Sequence, residues 1–520
     1  MKRNYLLSLL AVFGFVFLAN AQNPIDLNPC GSVSGKSTWL KKYQASPQLY
    51  QKNTDTIIYV PLTIHLLGTD AGQGFFPYNK LLDALCVLNQ DFEQANIQFF
   101  VEGDLNLISN SAWNDHETVL DGAEMMFANN VANTLNCYFL SDPAGNCGYN
   151  LPYAGIAVAK SCADAADHTW SHEVGHALSL PHPFLGWEGG PTHDGNINTY
   201  NFNNPAPLTV TYDYTYFKDT LIIDTLIIDT IAVEMVDQSN CTVAADGFCD
   251  TPPDYLSYRW QCNSSSPESS VLQRDPNGDT FRSDGTLIMS YADDACSYRF
   301  SDDQIAAMRA NLYDEKPELL YNQTPADAIA EIAPNQIYPI NGEAVAFNQA
   351  ELAWDEVENA IFYSIEISRV PTFSSAITDK YWTSSTNLIL PELDMDRTYY
   401  WRVRAANSHY FCTPRSESAT FVTISPTATS FPANISRIVI APNPVNKHGK
   451  INITLDANEQ MPVEILLSNT IGARLQTQQF TANSGLNQWS IELDTHLPGG
   501  IYLLSVQTSG GIYTEKVIVE

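Results

Sequence analysis

The sequence predicts a multidomain protein, an α+β domain followed by two all-β sandwich domains. Three observations carry this. The chain has 520 residues, room for roughly three domains at about 150 residues each. Between 54 and 325 the apolar pattern mixes helical and strand periods. From 335 onward it consists of short alternating strands separated by turn signals.

Composition narrows the function classes. The chain is 44% hydrophobic and 16% charged, enough to bury large cores and unlike a disordered polymer. Lys plus Arg is 26 against 58 Asp plus Glu, a net charge of −32. A nucleic-acid partner, which needs a basic face, is excluded. Met1-Lys2-Arg3, an apolar run over 5–18 and the small residues Ala19 and Ala21 read as a secretory signal peptide, 1–21. No other run is long enough to span a bilayer, so no transmembrane anchor is expected. Ten cysteines in an exported chain read mainly as disulfide candidates.

The elements follow in order. Residues 22–53 are polar and irregular and read as a propeptide-like segment. Residues 56–66 read as a strand. Leu81, Leu82, Leu85, Val87, Leu88 and Phe92 place a helix over 79–95. Ile97–Val101 and Leu135–Leu140 read as strands, and Thr169–Leu180 and Asp302–Asn311 as helices. Asp219 to Ile223 repeats at Asp224 to Ile228. That period of five fits no solenoid and reads as a surface insertion with strand tendency, such as a hairpin arm.

Within 335–425, Trp354 and the strand Tyr399-Tyr400-Trp401-Arg402-Val403-Arg404-Ala405 resemble a fibronectin type III domain. The last stretch, 435–520, contains Ala441-Pro442-Asn443-Pro444, then Leu497-Pro498-Gly499-Gly500-Ile501-Tyr502, then Lys516 to Glu520. This order resembles the C-terminal sorting domain of the type IX secretion system. The resemblance implies export to the cell surface or medium, with outer-membrane secretion machinery as a partner.

Chemistry concentrates at 172–182. His172 and His176 are four apart, so on a helix both imidazoles share one face and can reach one ion. Glu173 sits where a carboxylate can act as general base on a metal-activated water. Pro181 breaks the helix so that His182 can return as third ligand. Three neutral imidazoles with an open fourth position describe a catalytic Zn2+ site.

The segment His172-Glu173-Val174-Gly175-His176 through His182, with Leu287-Ile288-Met289-Ser290-Tyr291 behind it, resembles a metzincin metallopeptidase with its Met-turn. Asp246 to Asp254, Arg299 to Arg309, Leu88-Asn89-Gln90-Asp91-Phe92 and Asn96-Ile97-Gln98-Phe99 are similar to the pappalysin (cytophagalysin) family. The resemblance implies an α+β metzincin-like catalytic domain acting on protein or peptide substrates. It makes His172, His176 and His182 zinc ligands, Glu173 the base, Met289 a hydrophobic floor and Tyr291 an oxyanion stabiliser. For Asp246, Asp250, Thr251 and Asp254, Ca2+ ligation and a plain turn stand as alternatives. Cys262 with Cys296 is the first disulfide expected, and Cys147 with Cys162 the second.

Two departures from the family pattern stand out. Position 179 is Ser179, where the family has glycine. A left-handed serine there costs on the order of 1 kcal/mol, which leaves room for altered activity. Cys30 lies ahead of the domain in Asn28-Pro29-Cys30-Gly31. Its thiolate can occupy the metal's open position as a latency device, or it can form a disulfide. The alternative to a secreted endopeptidase is a non-catalytic adhesion or binding protein that retains the zinc site.

Overall fold

The structure, a computed structural model, describes residues 27–32, 35–50, 55–188, 200–216, 225–263, 265–348, 350–374, 377–424, 434–470, 472–494 and 497–520. The expected signal peptide lies outside them, as does the first copy of the five-residue repeat. The described chain is mostly β, with several sheets and few helices. No described helix is long and apolar enough to cross a membrane.

The segment before 54, expected to be irregular, contains helix α1 (Thr38–Ala45), capped by the Ser37 hydroxyl on the Leu40 N–H. Trp39, Leu40 and Tyr43 enter the main core. The lysines between them hid that apolar face. Then follow β1 (Ile58–Gly68), α2 (Tyr78–Asp91), β2 (Ile97–Val101), β3 (Asn106–Ser109), α3 (Ser111–Asn114), β4 (Asp115–His116), α4 (Val119–Asn129), β5 (Leu135–Leu140), β6 (Asp142–Pro143), β7 (Gly148–Leu151), β8 (Gly155–Ala159) and α5 (Thr169–Ala177). After the arm β9 (Thr209–Tyr216) and β10 (Thr225–Ala232), α6 (Asp302–Asp314) closes this part. β9 and β10 pair antiparallel, which places residues 225–228 of the second repeat copy in a paired strand.

One sheet organises the first core, in the order β2-β1-β5-β8-β7, with β3 also on β1. All pairs are parallel except β7 on β8. β5 and β8 are buried at every position, as continuous apolar runs in a covered parallel sheet should be. α2 and α5 pack against this sheet through Leu81, Leu85, Leu88, Trp170 and Val174. Edge strand β7 carries residues 28–32 alongside it. The Cys147 N–H donates to Asn28 O at 2.7 Å, and the Gly31 N–H to Gly148 O at 2.8 Å.

Residues 336–424 form sheets of three and five strands around Trp354, Tyr363 and Trp401. The tail forms sheets of three and four strands around its own core. The first two bodies are tied together. Cys86 on α2 pairs with Cys412. Asp83 accepts from Arg404 at 2.6 Å and from Arg415 at 2.7 Å. Three more disulfides join Cys147 to Cys162, Cys241 to Cys249 and Cys262 to Cys296. Cys30 and Cys137 are free and buried.

Candidate metal centre

α5 places His172 and His176 one turn apart on a buried face. The helix expected to reach Leu180 stops at Ala177, because Ser179 takes a left-handed conformation with φ 73°. The Leu180 N–H then closes back on Gly175 O at 3.0 Å, a C-terminal capping pattern. The Ser179 hydroxyl accepts from Asn311 Nδ2 at 3.1 Å, so a polar contact offsets the strain. Past Pro181 the chain returns His182 to its partners.

The three Nε2 atoms lie 3.1, 3.1 and 3.2 Å apart. Each Nδ1 faces an acceptor: Ile288 O at 2.7 Å for His172, Leu180 O at 2.8 Å for His176, and the Glu188 carboxylate at 3.3 Å for His182. A carbonyl or carboxylate can only accept, so each Nδ1 carries the proton and each Nε2 a lone pair. Burial pushes His172 and His182 down to about 3 and His176 well below its usual value. Three neutral lone pairs aimed at one point could hold a cation between them. Nitrogens about 2.05 Å from one tetrahedral ion stand ~3.3 Å apart, close to the spacing found.

Cys30 completes the cluster. Its Sγ and the three histidine nitrogens lie within 4.8 Å of one another, with Sγ 3.6 Å from His176 Nε2. A thiolate and an imidazole sharing a tetrahedral zinc ion stand at ~3.6 Å. The disulfide alternative for Cys30 is absent. Glu173 is fully buried. Its Oε2 accepts from Ser32 Oγ at 2.9 Å, while Oε1 has no partner. Burial pushes this carboxyl up to about 8 against its hydrogen bonds.

Met289 is buried beneath α5, its sulfur against Gly175, where any Cβ would collide with it. Tyr291 packs on His182 and Phe184, and its hydroxyl donates to Cys30 O at 3.4 Å. A cleft of about 1240 Å³ opens beside the cluster, lined by His176, Ser179, Asn150 and Tyr153, and by Ser32 and Lys36 from the N-terminal segment.

The four residues for which Ca2+ was one reading do not converge. Asp246 accepts from the Phe248 N–H and from Thr251 Oγ1. Asp250 accepts from Ser301 Oγ and the Asp303 N–H at the start of α6. Asp254 accepts from Ser283 Oγ and, on the Met-turn, Ser290 Oγ. Each of these carboxylates has polar partners of its own, and Ca2+ ligation and a plain turn both remain open for the segment. Among the described residues the histidine–cysteine group is the one cluster suited to a metal.

Ser32, the partner of Glu173, carries no sequence signal, since one serine in a polar segment is unremarkable. Neither does Glu234, a buried carboxylate interacting with Asp246 and with Lys36 of the N-terminal segment. Asp91 did have a signal, in the Leu88 to Phe92 segment.

Among solved structures, a Tannerella forsythia promirolysin mutant is similar at 17% identity over 56% of this chain and 97% of that one, with a TM-score of 0.37. Chicken CNTN1 FN1–FN3 domains match at 14% identity over 36% of this chain and 67% of theirs, TM-score 0.17. The fn3 domain of human contactin 1 matches at 17% identity over 21% and 92%, TM-score 0.17. No curated protein matches the chain. Residues 439–520 match the family model of the secretion system C-terminal sorting domain, so the chain carries a type IX sorting tail, the mark of a secreted or cell-surface protein that engages the secretion machinery.

Proposed function

We propose that the chain is a secreted zinc-dependent endopeptidase, held latent in this form by residues 28–32. The observation that carries this is the convergence of three unprotonated Nε2 atoms beside a buried carboxylate with an unpartnered oxygen. In this reading 1–21 is the signal peptide, 22–53 the inhibitory segment and 54–325 the catalytic domain. A fibronectin type III-like module at 335–425 and the sorting tail follow.

His172, His176 and His182 hold the metal, and Cys30 fills its fourth position until the segment departs. Zinc, when bound, lowers the pKa of a water to near 7 and polarises a carbonyl. Glu173 accepts the proton of the attacking water and delivers it to the leaving amine nitrogen. Tyr291, released from Cys30 O, turns its hydroxyl toward the developing oxyanion. Met289 keeps the floor dry. The unpartnered Glu173 oxygen favours catalysis over adhesion, because a purely structural site gains nothing from burying it.

The test is casein digestion by protein freed of residues 1–53, with zinc content measured beside it. Glu173→Gln should lose cleavage by about 10²–10⁴-fold and keep one zinc per chain. Wild-type protein that holds zinc and cuts neither casein nor a peptide library would overturn the reading.

A further inference from the structure

The metal helix is short. α5 has nine residues, no acidic residue in its first turn and no side-chain cap from His168. A helix N-terminus of that kind has unsatisfied N–H groups and a positive end. Here neighbouring carboxylates serve it. Asp167 accepts from the Thr169 N–H at 2.8 Å, and Asp294 from the His168 N–H at 3.2 Å. These two hold backbone. Asp91 does something different. Its Oδ2 accepts from the side chains of both His168, at 2.8 Å through Nδ1, and Ser171, at 2.5 Å through Oγ.

We propose that Asp91 is a positioning residue, a buried carboxylate that grips two side chains of the metal helix and sets where His172 and His176 stand. The proposal rests on the zinc reading above. His168 is the N-cap residue of α5 and Ser171 lies in its first turn, and both side chains meet the same carboxylate oxygen. Two such anchors fix rotation about the helix axis, which a backbone bond at the end does not. A helix is ~10–12 Å across, so a turn of about 10° moves a side-chain tip by ~1 Å. Metal and catalytic groups tolerate about 0.5 Å.

The carboxylate is itself well held. Asp91 is the last residue of α2 and 7% exposed. Asn79 of α2 donates to Glu366 at 3.0 Å, Asp83 receives Arg404 and Arg415, and Cys86 is bonded to Cys412. The helix is thus clamped along its length to the second domain. Its neighbours in sequence have other tasks. Asn89 pins the backbone of Phe99 on β2 at 2.7 Å, and Phe92 packs between Phe99 and Phe300. Asp91 instead hydrogen-bonds across to the start of α5.

The full chain serves for the test, read by zinc affinity in chelator competition and by the ligand-field spectrum after cobalt substitution. Asp91→Ala should weaken zinc about tenfold, within the range seen for outer-shell partners, and shift the cobalt bands. Asp91→Asn, which keeps the size and one acceptor oxygen, should recover most of both. Ser171→Ala should fall between, and adding it to Asp91→Ala should cost nothing further. An Asp91→Ala protein with affinity within twofold of wild type and an unchanged spectrum would overturn the proposal. If that variant does not fold, Asp91→Asn and Ser171→Ala decide, and wild-type values in both overturn it. Wild-type chain that binds no zinc would remove the zinc reading itself, whereas zinc-binding wild type with insensitive variants removes this proposal alone.

Discussion

Ser32 Oγ donates to Glu173 Oε2 at 2.9 Å, two residues beyond the Cys30 thiol that stands 3.6 Å from His176 Nε2. One tripeptide thus meets both the metal ligands and the carboxylate assigned as base. The block proposed above is therefore double, and its halves can be separated.

Full-length Cys30→Ala should digest casein about tenfold faster than full-length wild type, the effect of ~1.4 kcal/mol of lost blocking contact. Ser32→Ala should give a smaller rise. Cobalt-loaded wild type should show near-ultraviolet thiolate-to-metal absorption that Cys30→Ala lacks. Equal rates for all three proteins would end the latency account.

Ser179 combines a left-handed backbone with a hydrogen bond from Asn311. Ser179→Gly relieves about 1 kcal/mol of strain but loses the bond and loosens the unfolded chain, two terms of about 1 kcal/mol each, so it should lose about 1 kcal/mol net. Ser179→Ala keeps the strain and strands a buried donor, and should lose about 1–2 kcal/mol. Urea unfolding of the metal-free variants measures both, and a glycine variant less stable than the alanine one would reverse the assignment.

The His168 imidazole feels burial, which lowers its pKa, and the hydrogen bond and charge of Asp91, with help from Asp294 and Asp167, which raise it; the net shift is upward. A raised histidine contributes stability that is fully present below its unfolded value, about 6.5. That contribution is lost as pH rises through the folded value. The stability difference between metal-free wild type and His168→Gln should therefore shrink on going from about pH 6 to about pH 9. Thermal unfolding across that range is the measurement, and a gap that widens would refute the assignment.

Asp83 balances Arg404, whose side chain is 5% exposed, and Arg415. Asp83→Asn leaves a buried guanidinium uncompensated and should destabilise the chain by about 3 kcal/mol. Calorimetry should show the first two domains melting together in wild type and drawing apart in the variant.

The parts legible in sequence were those set by local pattern. Ile97–Val101 and Leu135–Leu140 announce themselves as apolar runs, and the spacing of His172 and His176 fixes their shared helix face, with Glu173 beside the first of them. Contacts between distant residues were not legible. Nothing near Cys86 or Cys412 marks them as partners across 326 positions. The left-handed Ser179 that ends α5 early was legible only through the family resemblance, because serine seldom adopts that backbone angle. The segment around Ser32 looks featureless because its side chains acquire partners only on β7 and α5.

All four disulfides among the described residues fall between Cys86 and Cys412, and the outermost joins those two. A nick in any loop inside that span leaves both fragments covalently attached. The stretch carrying Cys30 lies outside the span and has no bridge of its own, so a nick just after it lets it diffuse away. Damage by peptidases therefore falls unequally. The piece most easily shed is the one that carries Cys30 and lines the cleft through Ser32, and an oxidising exterior protects the rest.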